Sequence, residues 1–448
     1  MKACFRGSLG HDPVCRLFVA AIFLLSGCGK KEQTGLRLMV WDQGAGHGTI
    51  EKRLEEFSRQ NRRIKVELIV CPTREECGRR FLASVKKNDP PDPDRKNASA
   101  PPDICLVAGD DLPRLIQAGY VRDLQPFHPD LESFLPQTLD AVSSGKGLYA
   151  MPCGWSALML YYNRAIFERH GIPPPRASWD WGDLLHIAQT LTVVDEESGK
   201  IIQYGLELSP SIETWGPFVW QNRGQLIRED GIWTLTDPQF LQSNQQAILF
   251  YADLLRERHL APPAERTKKS RASERPFIKR EAAMTFGQRD LGIQLEKERG
   301  FEWDIVPMPR SREAASWLEV YGYAISTKTQ RLENAWKLVS FLTGETSQAA
   351  MILHGFYAPS WQSLLVSKIF TDFPGPRAVS NLALTESISC AKSAPRISYW
   401  NQSSEVLTEE MDRLMADPKA SPRDALERMQ TRLDELSLLS NHQPQRDR

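Results

Sequence analysis

The chain has 448 residues, 56 basic and 56 acidic side chains, 12 tryptophans and a hydrophobic fraction of 41%. That length exceeds what one hydrophobic core usually organises, so two lobes are expected. The even charge balance gives no electrostatic basis for nucleic-acid binding.

Lys2, Arg6 and Arg16 make a basic start, followed by nine apolar residues from Leu17 to Leu25. Nine is well short of the roughly 20 that span a bilayer. It is the length of a signal-peptide core. Ser26 and Gly27 then lead into Cys28. Small residues before a cysteine at this point form the bacterial lipobox pattern, so residues 1–27 read as a signal peptide and Cys28 as the lipidated first residue of the mature chain. A chance cysteine in an ordinary signal peptide is the plainer alternative. Residues 28–35 read as a flexible tether. Removal of 1–27 takes away three basic residues and one acid, leaving 53 against 55, a net charge of −2.

Leu36–Trp41 is a short β-prone run and predicts a strand. A Gly-rich turn, Gly44 to Gly48, follows without dinucleotide or Walker spacing. Thr49–Asn61 predicts a helix with Leu54 and Phe57 on one face, and Ile64–Val70 alternates as the next strand. Strand, helix, strand is the unit of a parallel α/β sheet. Residues 88–102 are polar and Pro-rich, a surface insertion. Pro102–Val107 predicts a strand, with Asp110 and Asp111 just beyond its carboxyl end. Open α/β sheets bind ligands there, although such acids also serve as helix caps. Leu158–Asn163 predicts another strand and Arg164–His170 a helix. Ser178-Trp179-Asp180-Trp181 caps an amphipathic helix with Leu184, Leu185, Ile187, Ala188 and Leu191 inward. The last hundred residues are mainly helical, with the clearest 3.6 period over 334–342 and 421–438.

Five cysteines remain beyond the anchor: Cys71, Cys77, Cys105, Cys153 and Cys390. Cys71 and Cys77 flank a Pro-Thr-Arg-Glu-Glu turn, and outside the cytoplasm they could form either a local disulfide or two free thiols. Cys105 sits in an apolar run and reads as a core residue. Neither a zinc spacing nor a metal-binding His pair occurs, and no cofactor is expected.

Taken in order, several segments carry a resemblance: Val40-Trp41, Pro102-Asp103-Ile104, Gly147-Leu148-Tyr149-Ala150-Met151-Pro152, Leu160-Tyr161-Tyr162-Asn163-Arg164, Tyr204-Gly205-Leu206, Leu235-Thr236-Asp237-Pro238 and Ala282-Ala283-Met284. The chain resembles the family 1 extracellular solute-binding proteins, the maltose-binding-like group that serves ABC importers. The resemblance runs from Leu36 to about Leu438. It implies a periplasmic-binding-protein-like α/β fold, with two α/β lobes joined by a hinge and a ligand in the interlobe cleft. Lobe 1 is expected at 36–150 with 305–360, and lobe 2 at 151–304 with 361–440. The expected partners are a small carbohydrate ligand, the permease subunits of an ABC transporter and, through the anchor, a membrane. The chain is expected to act as a monomer, outside the cytoplasm and without enzymatic activity.

A sugar site needs flat aromatic faces against the ring's C–H side and fixed polar groups for its hydroxyls. Residues falling where the family lines its cleft are Trp41, Asp42, Asp110, Trp155, Ser156, Trp215, Trp220, Tyr357 and Trp400. Gln288-Arg289-Asp290 departs from the family pattern, and Arg289 there could pair with an anion. Each aromatic could equally be ordinary core packing. Two other functions remain: a lipid-anchored glycan hydrolase and a binding lobe feeding a sensor. The hydrolase needs a positioned carboxylate pair that no segment singles out, and no Gly-x-Ser-x-Gly elbow occurs.

Overall fold

The computed structural model describes residues 35–41, 47–85, 101–176, 178–263, 275–352, 357–371 and 377–441. The signal peptide, Cys28, the tether, Asp42 and the glycines at 44 and 46 lie outside them. The strands are β1 (Gly35–Trp41), β2 (Lys65–Cys71), β3 (Ile104–Ala108), β4 (Ser143–Ser144), β5 (Gly147–Leu148), β6 (Met151–Ala157), β7 (Met159–Asn163), β8 (Val193–Val194), β9 (Ile201–Glu207), β10 (Ala282–Gly287), β11 (Trp303–Val306), β12 (Ser316–Ile325) and β13 (Ala391–Ser393).

They build two main sheets. One runs β13-β12-β3-β1-β2, with β6 also paired to β12. In it β1 and β3 are parallel, while β12 runs antiparallel to both β3 and β6. The other runs β11-β7-β10-β9-β8. The strands β3, β6 and β7 are buried at every residue, the mark of strands covered on both faces. Edge strand β2 instead alternates. The helices His47–Gln60, Arg164–Arg169, Trp181–Leu191 and Leu332–Thr343 stand close to where the sequence puts them. Asp180 accepts from the Asp183 amide and Asp183 reaches back to the Asp180 amide, a reciprocal cap.

Side-chain alternation divides the interior into two cores. Along β7, Met159 and Tyr161 face one core, while Leu160 and Tyr162 face the other. The first core gathers β1, β3, β6 and most of β12. The second gathers the helices Ile212–Gln221, Leu241–Arg256, Trp400–Ala416 and Pro422–Asn441.

The chain crosses between sheets where β6 gives way to β7, with only Leu158 between them, and again between β11 and β12. The two crossings are tied together: the Leu158 amide donates to the Trp317 carbonyl at 2.9 Å, and Ser316 Oγ donates to the Leu158 carbonyl at 2.7 Å. The first crossing falls at Leu158. Leu364, Leu365, Phe370, Leu384 and Ile388 pack in the first core, which also takes in Trp303 and Ile305 of β11.

Candidate functional site

β3 ends at Ala108, and Gly109–Asp111 turns directly into the next helix, so Asp110 and Asp111 emerge at the strand's carboxyl end. Arg74 opens the helix Arg74–Val85 and reaches across to them. Its Nε donates to Asp111 Oδ2 at 3.2 Å, and its two terminal nitrogens pair with Asp110 and with Glu319 of β12. Glu319 also accepts from the Tyr321 hydroxyl at 2.5 Å. Opposite stands Glu213, in the first turn of Ile212–Gln221, bonded to the Ser211 hydroxyl. Arg74, Asp110, Glu213, Gln288 and Glu319 line a cavity of about 190 Å³. Its wall thus draws on elements of both cores.

Acids outnumber bases here, and burial sets their protonation. Burial pushes the Asp110 carboxyl up to about 6; Arg74 opposes that shift, while Asp111 and Glu319 add to it. About a fifth of the Asp110 side chain still meets solvent. Glu319 is raised by burial against the pull of Arg74 and Tyr321. Glu213 is raised by burial, and the charge of Asp110 adds to the shift.

Next to it, sharing Trp317, Leu318, Ser393 and Ala394, lies a larger cavity of about 1070 Å³. Four tryptophans line it: Trp220, Trp233, Trp317 and Trp400. They form a stacked series, Trp220 on Trp317 at 5.3 Å and 13°, Trp317 near Trp400 at 5.9 Å and 24°, and Trp400 near Trp233 at 6.4 Å and 16°. Trp220 stays half-buried at the end of the series, with Lys392 Nζ 5.6 Å from its ring. Trp233, Trp317 and Trp400 are buried in the second core, so the partly open face of the series is that of Trp220. Acceptors in one chamber and an aromatic face in the next are the two requirements for holding a polyhydroxylated ring.

Of the residues singled out from sequence, Asp110, Trp220 and Trp400 line these cavities. Trp41, Trp155, Ser156, Trp215, Arg289 and Tyr357 are buried. Trp155 is fully buried and donates from Nε1 to the Pro359 carbonyl at 2.8 Å. Trp215 is equally buried and donates to the Pro210 carbonyl at 3.0 Å. Trp41 is buried, edge-on to Tyr321. Tyr357 is buried with its ring 4.4 Å from Tyr321. Ser156 Oγ accepts from the Arg289 amide at 2.9 Å. The Arg289 guanidinium donates to Asn381 at 2.7 Å and lies over Phe370, so it is built into the interior as a structural cation. Cys71, Cys77 and Cys105 are all buried, with no S–S bond drawn among them in this structure. Among the described residues no cluster of His, Cys, Asp and Glu could hold a metal ion, and no helix is long and apolar enough to cross a membrane.

Sequence reasoning missed Arg74, Glu213, Glu319, Trp233 and Trp317. Glu319 carried a usable signal, a lone acid within Ser-Trp-Leu-Glu-Val-Tyr-Gly-Tyr-Ala-Ile. A charge in a buried strand marks either an ion pair or a site.

A fold with two cores, crossed twice by the chain over a cleft of acids and stacked indoles, defines a binding protein of the two-lobed class. Residues 94–349, more than half the chain, match the model of the bacterial extracellular solute-binding protein family, and the chain belongs to that family. A binding protein of Brucella abortus (strain 2308) is 21% identical over 338 residues, covering 72% of this chain and 77% of that one. An ABC substrate-binding protein of Listeria monocytogenes, solved in complex with cycloalternan, superposes with a TM-score of 0.76 at 18% identity, covering 90% of this chain and 98% of that one. The maltose-bound MalE3 of T. maritima gives a TM-score of 0.71 at 18% identity, over 90% and 99% of the two chains.

Proposed function

We propose that this protein is an extracytoplasmic lipoprotein, anchored through Cys28, that captures a sugar or polar sugar derivative in its cleft and delivers it to an ABC importer. The observation that carries the reading is the pair of adjoining cavities, one lined by carboxylates and the other by stacked tryptophans. Carboxylates accept the hydroxyl protons of a sugar, and indole faces cover its C–H face. The binding of maltose by one structural neighbour and of cycloalternan by another points the same way. The acidic wall favours a neutral, hydroxyl-rich ligand over an anion, because Arg74 is already shared among three carboxylates and Arg289 is held by Asn381.

A thermal-shift screen of mono- and oligosaccharides, with sugar phosphates as the anionic arm, tests this. A ligand at 100 times its Kd adds about 2.7 kcal/mol to stability. The proposal expects the largest shift from a neutral saccharide, recovered unchanged after incubation. A shift from sugar phosphates alone would refute the ligand class, and chemical turnover would refute the binding role.

A further inference from the structure

Three thiols that the ligand site does not use meet directly behind it. Cys71 closes β2, Cys77 lies in the first turn of the helix that begins with Arg74, and Cys105 is the second residue of β3. All three are buried, at 0%, 1% and 1% exposure. Cys77 Sγ stands 3.9 Å from Cys105 Sγ, across the packing of that helix on its strand. Cys71 is the second thiol in contact with Cys77.

We propose that the exported protein carries a disulfide between Cys77 and Cys105, rather than the sequence-local pair Cys71 and Cys77, and that this bond fastens the Arg74 helix to the strand that presents Asp110. This rests on the extracytoplasmic location in the proposed function, since disulfides persist in such compartments. The Cys77–Cys105 contact already brings the sulfurs together with only a small further approach needed. The bond would join positions 28 residues apart, constraining the unfolded chain more than the six-residue alternative does. The site gains from it directly, because Arg74 is three residues from Cys77 and binds the acids that follow β3.

The chemistry is ordinary thiol–disulfide exchange with an external disulfide, protein or small molecule, while the chain folds and the thiols are still reachable. The Cys77 thiolate attacks one sulfur of that oxidant and expels the other as a thiolate. Cys105, deprotonated in turn, attacks Cys77 in the mixed disulfide and expels the second thiolate. Two protons and two electrons leave the protein, and the oxidant departs as two thiols. Cys77 suits the first role. Its hydrogen bond with Cys105 holds it below the usual thiol range against the effect of burial, and Cys71 assists. Burial holds Cys71 up at about 11.

The test uses the mature chain exported into an oxidising periplasm behind an unrelated signal peptide, so that the outcome does not depend on this chain's own lipobox or on its ligand. Free thiols are alkylated in denaturant without reductant, and the protein is digested with trypsin. Cleavage after Arg74 separates Cys71 from Cys77, so each candidate bridge gives a distinct linked peptide. The expected product joins the peptide Glu75–Arg79 to the one containing Cys105, disappears on reduction, and leaves Cys71 alkylated. A Cys71–Cys77 link, or alkylation of all three cysteines, would overturn the proposal whatever the protein binds.

Discussion

Asp110 is the residue on which pH dependence turns. Its carboxyl is held up at about 6 in the unliganded cleft, chiefly by burial. A sugar hydroxyl donates to the ionised form, so binding favours deprotonation, and affinity should rise as pH climbs through 6. The sign for the unliganded protein is opposite. A carboxyl raised above its unfolded value of about 3.9 binds more protons folded than unfolded, so this group's contribution to stability falls as pH rises from about 4 to about 6. Titrations at pH 5 and pH 7.5 should show tighter binding at the higher pH, and Asp110→Asn should remove that difference. The same variant should weaken binding by about 1.5–3 kcal/mol, the worth of a hydrogen bond to a charged group. Trp220→Ala should cost about 0.5–1.5 kcal/mol of stacking beyond the loss of area. Trp155→Phe should lower the melting temperature and leave affinity unchanged, because that indole is fully buried, donates to the Pro359 carbonyl and lines neither cavity.

Among the elements, the last two helices are joined by one buried acid. Glu410 has no exposed side-chain surface and accepts from Arg413 at 2.6 Å, Arg428 at 2.8 Å and Arg432 at 2.9 Å. Burial alone would raise its carboxyl, but hydrogen bonds from Arg428 and Arg432 outweigh it and hold the group below its usual range. A lowered folded value contributes stability above the unfolded value, lost as pH falls below about 4. Arg413, Arg428 and Arg432 stay partly open to solvent, so Glu410→Ala should cost about 1.5–3 kcal/mol in urea unfolding, the worth of a hydrogen bond to a charged group. Gly154 in β6 offers a second check: a Cβ there would collide with the Tyr357 side chain. Gly154→Ala should therefore cost about 1–3 kcal/mol of overpacking by the same urea measurement.

The elements also show what was legible in the sequence and what was not. β1, β3 and β7 stood out as short apolar runs between turns, β2 by its alternation, and the cap at Asp180 was spelled by its neighbours. β12 did not stand out, although it binds the first sheet together, because burial on both faces erases alternation and Glu319 breaks the apolar run. The charge of Glu319 is answered by Arg74, 245 residues earlier in the chain. The site divided the same way. Asp110 followed from its place after a strand, but whether an indole lines a cavity or fills a core depends on partners that no local window contains. Trp155 and Trp220 look alike in sequence and differ only in what folds over them.

For the whole molecule, the two strand crossings, one at Leu158 and one through residues 307–315, are hydrogen-bonded to each other, while the cavities draw their walls from elements of different cores. Two strand ties beside a cleft permit hinge motion, and a ligand touching both sides stabilises the closed arrangement by its differential contacts. Small-angle scattering should therefore show a smaller radius of gyration in the saturated protein. The central claim is that the cleft binds a neutral saccharide, and isothermal titration calorimetry of the mature chain across a saccharide panel tests it most directly. The account predicts one-to-one binding by at least one neutral saccharide, with a negative heat-capacity change from burial of its apolar face on the tryptophans. It also predicts that binding weakens in both Asp110→Asn and Trp220→Ala. Silence across the panel from folded protein, or undiminished affinity in both variants, would contradict it.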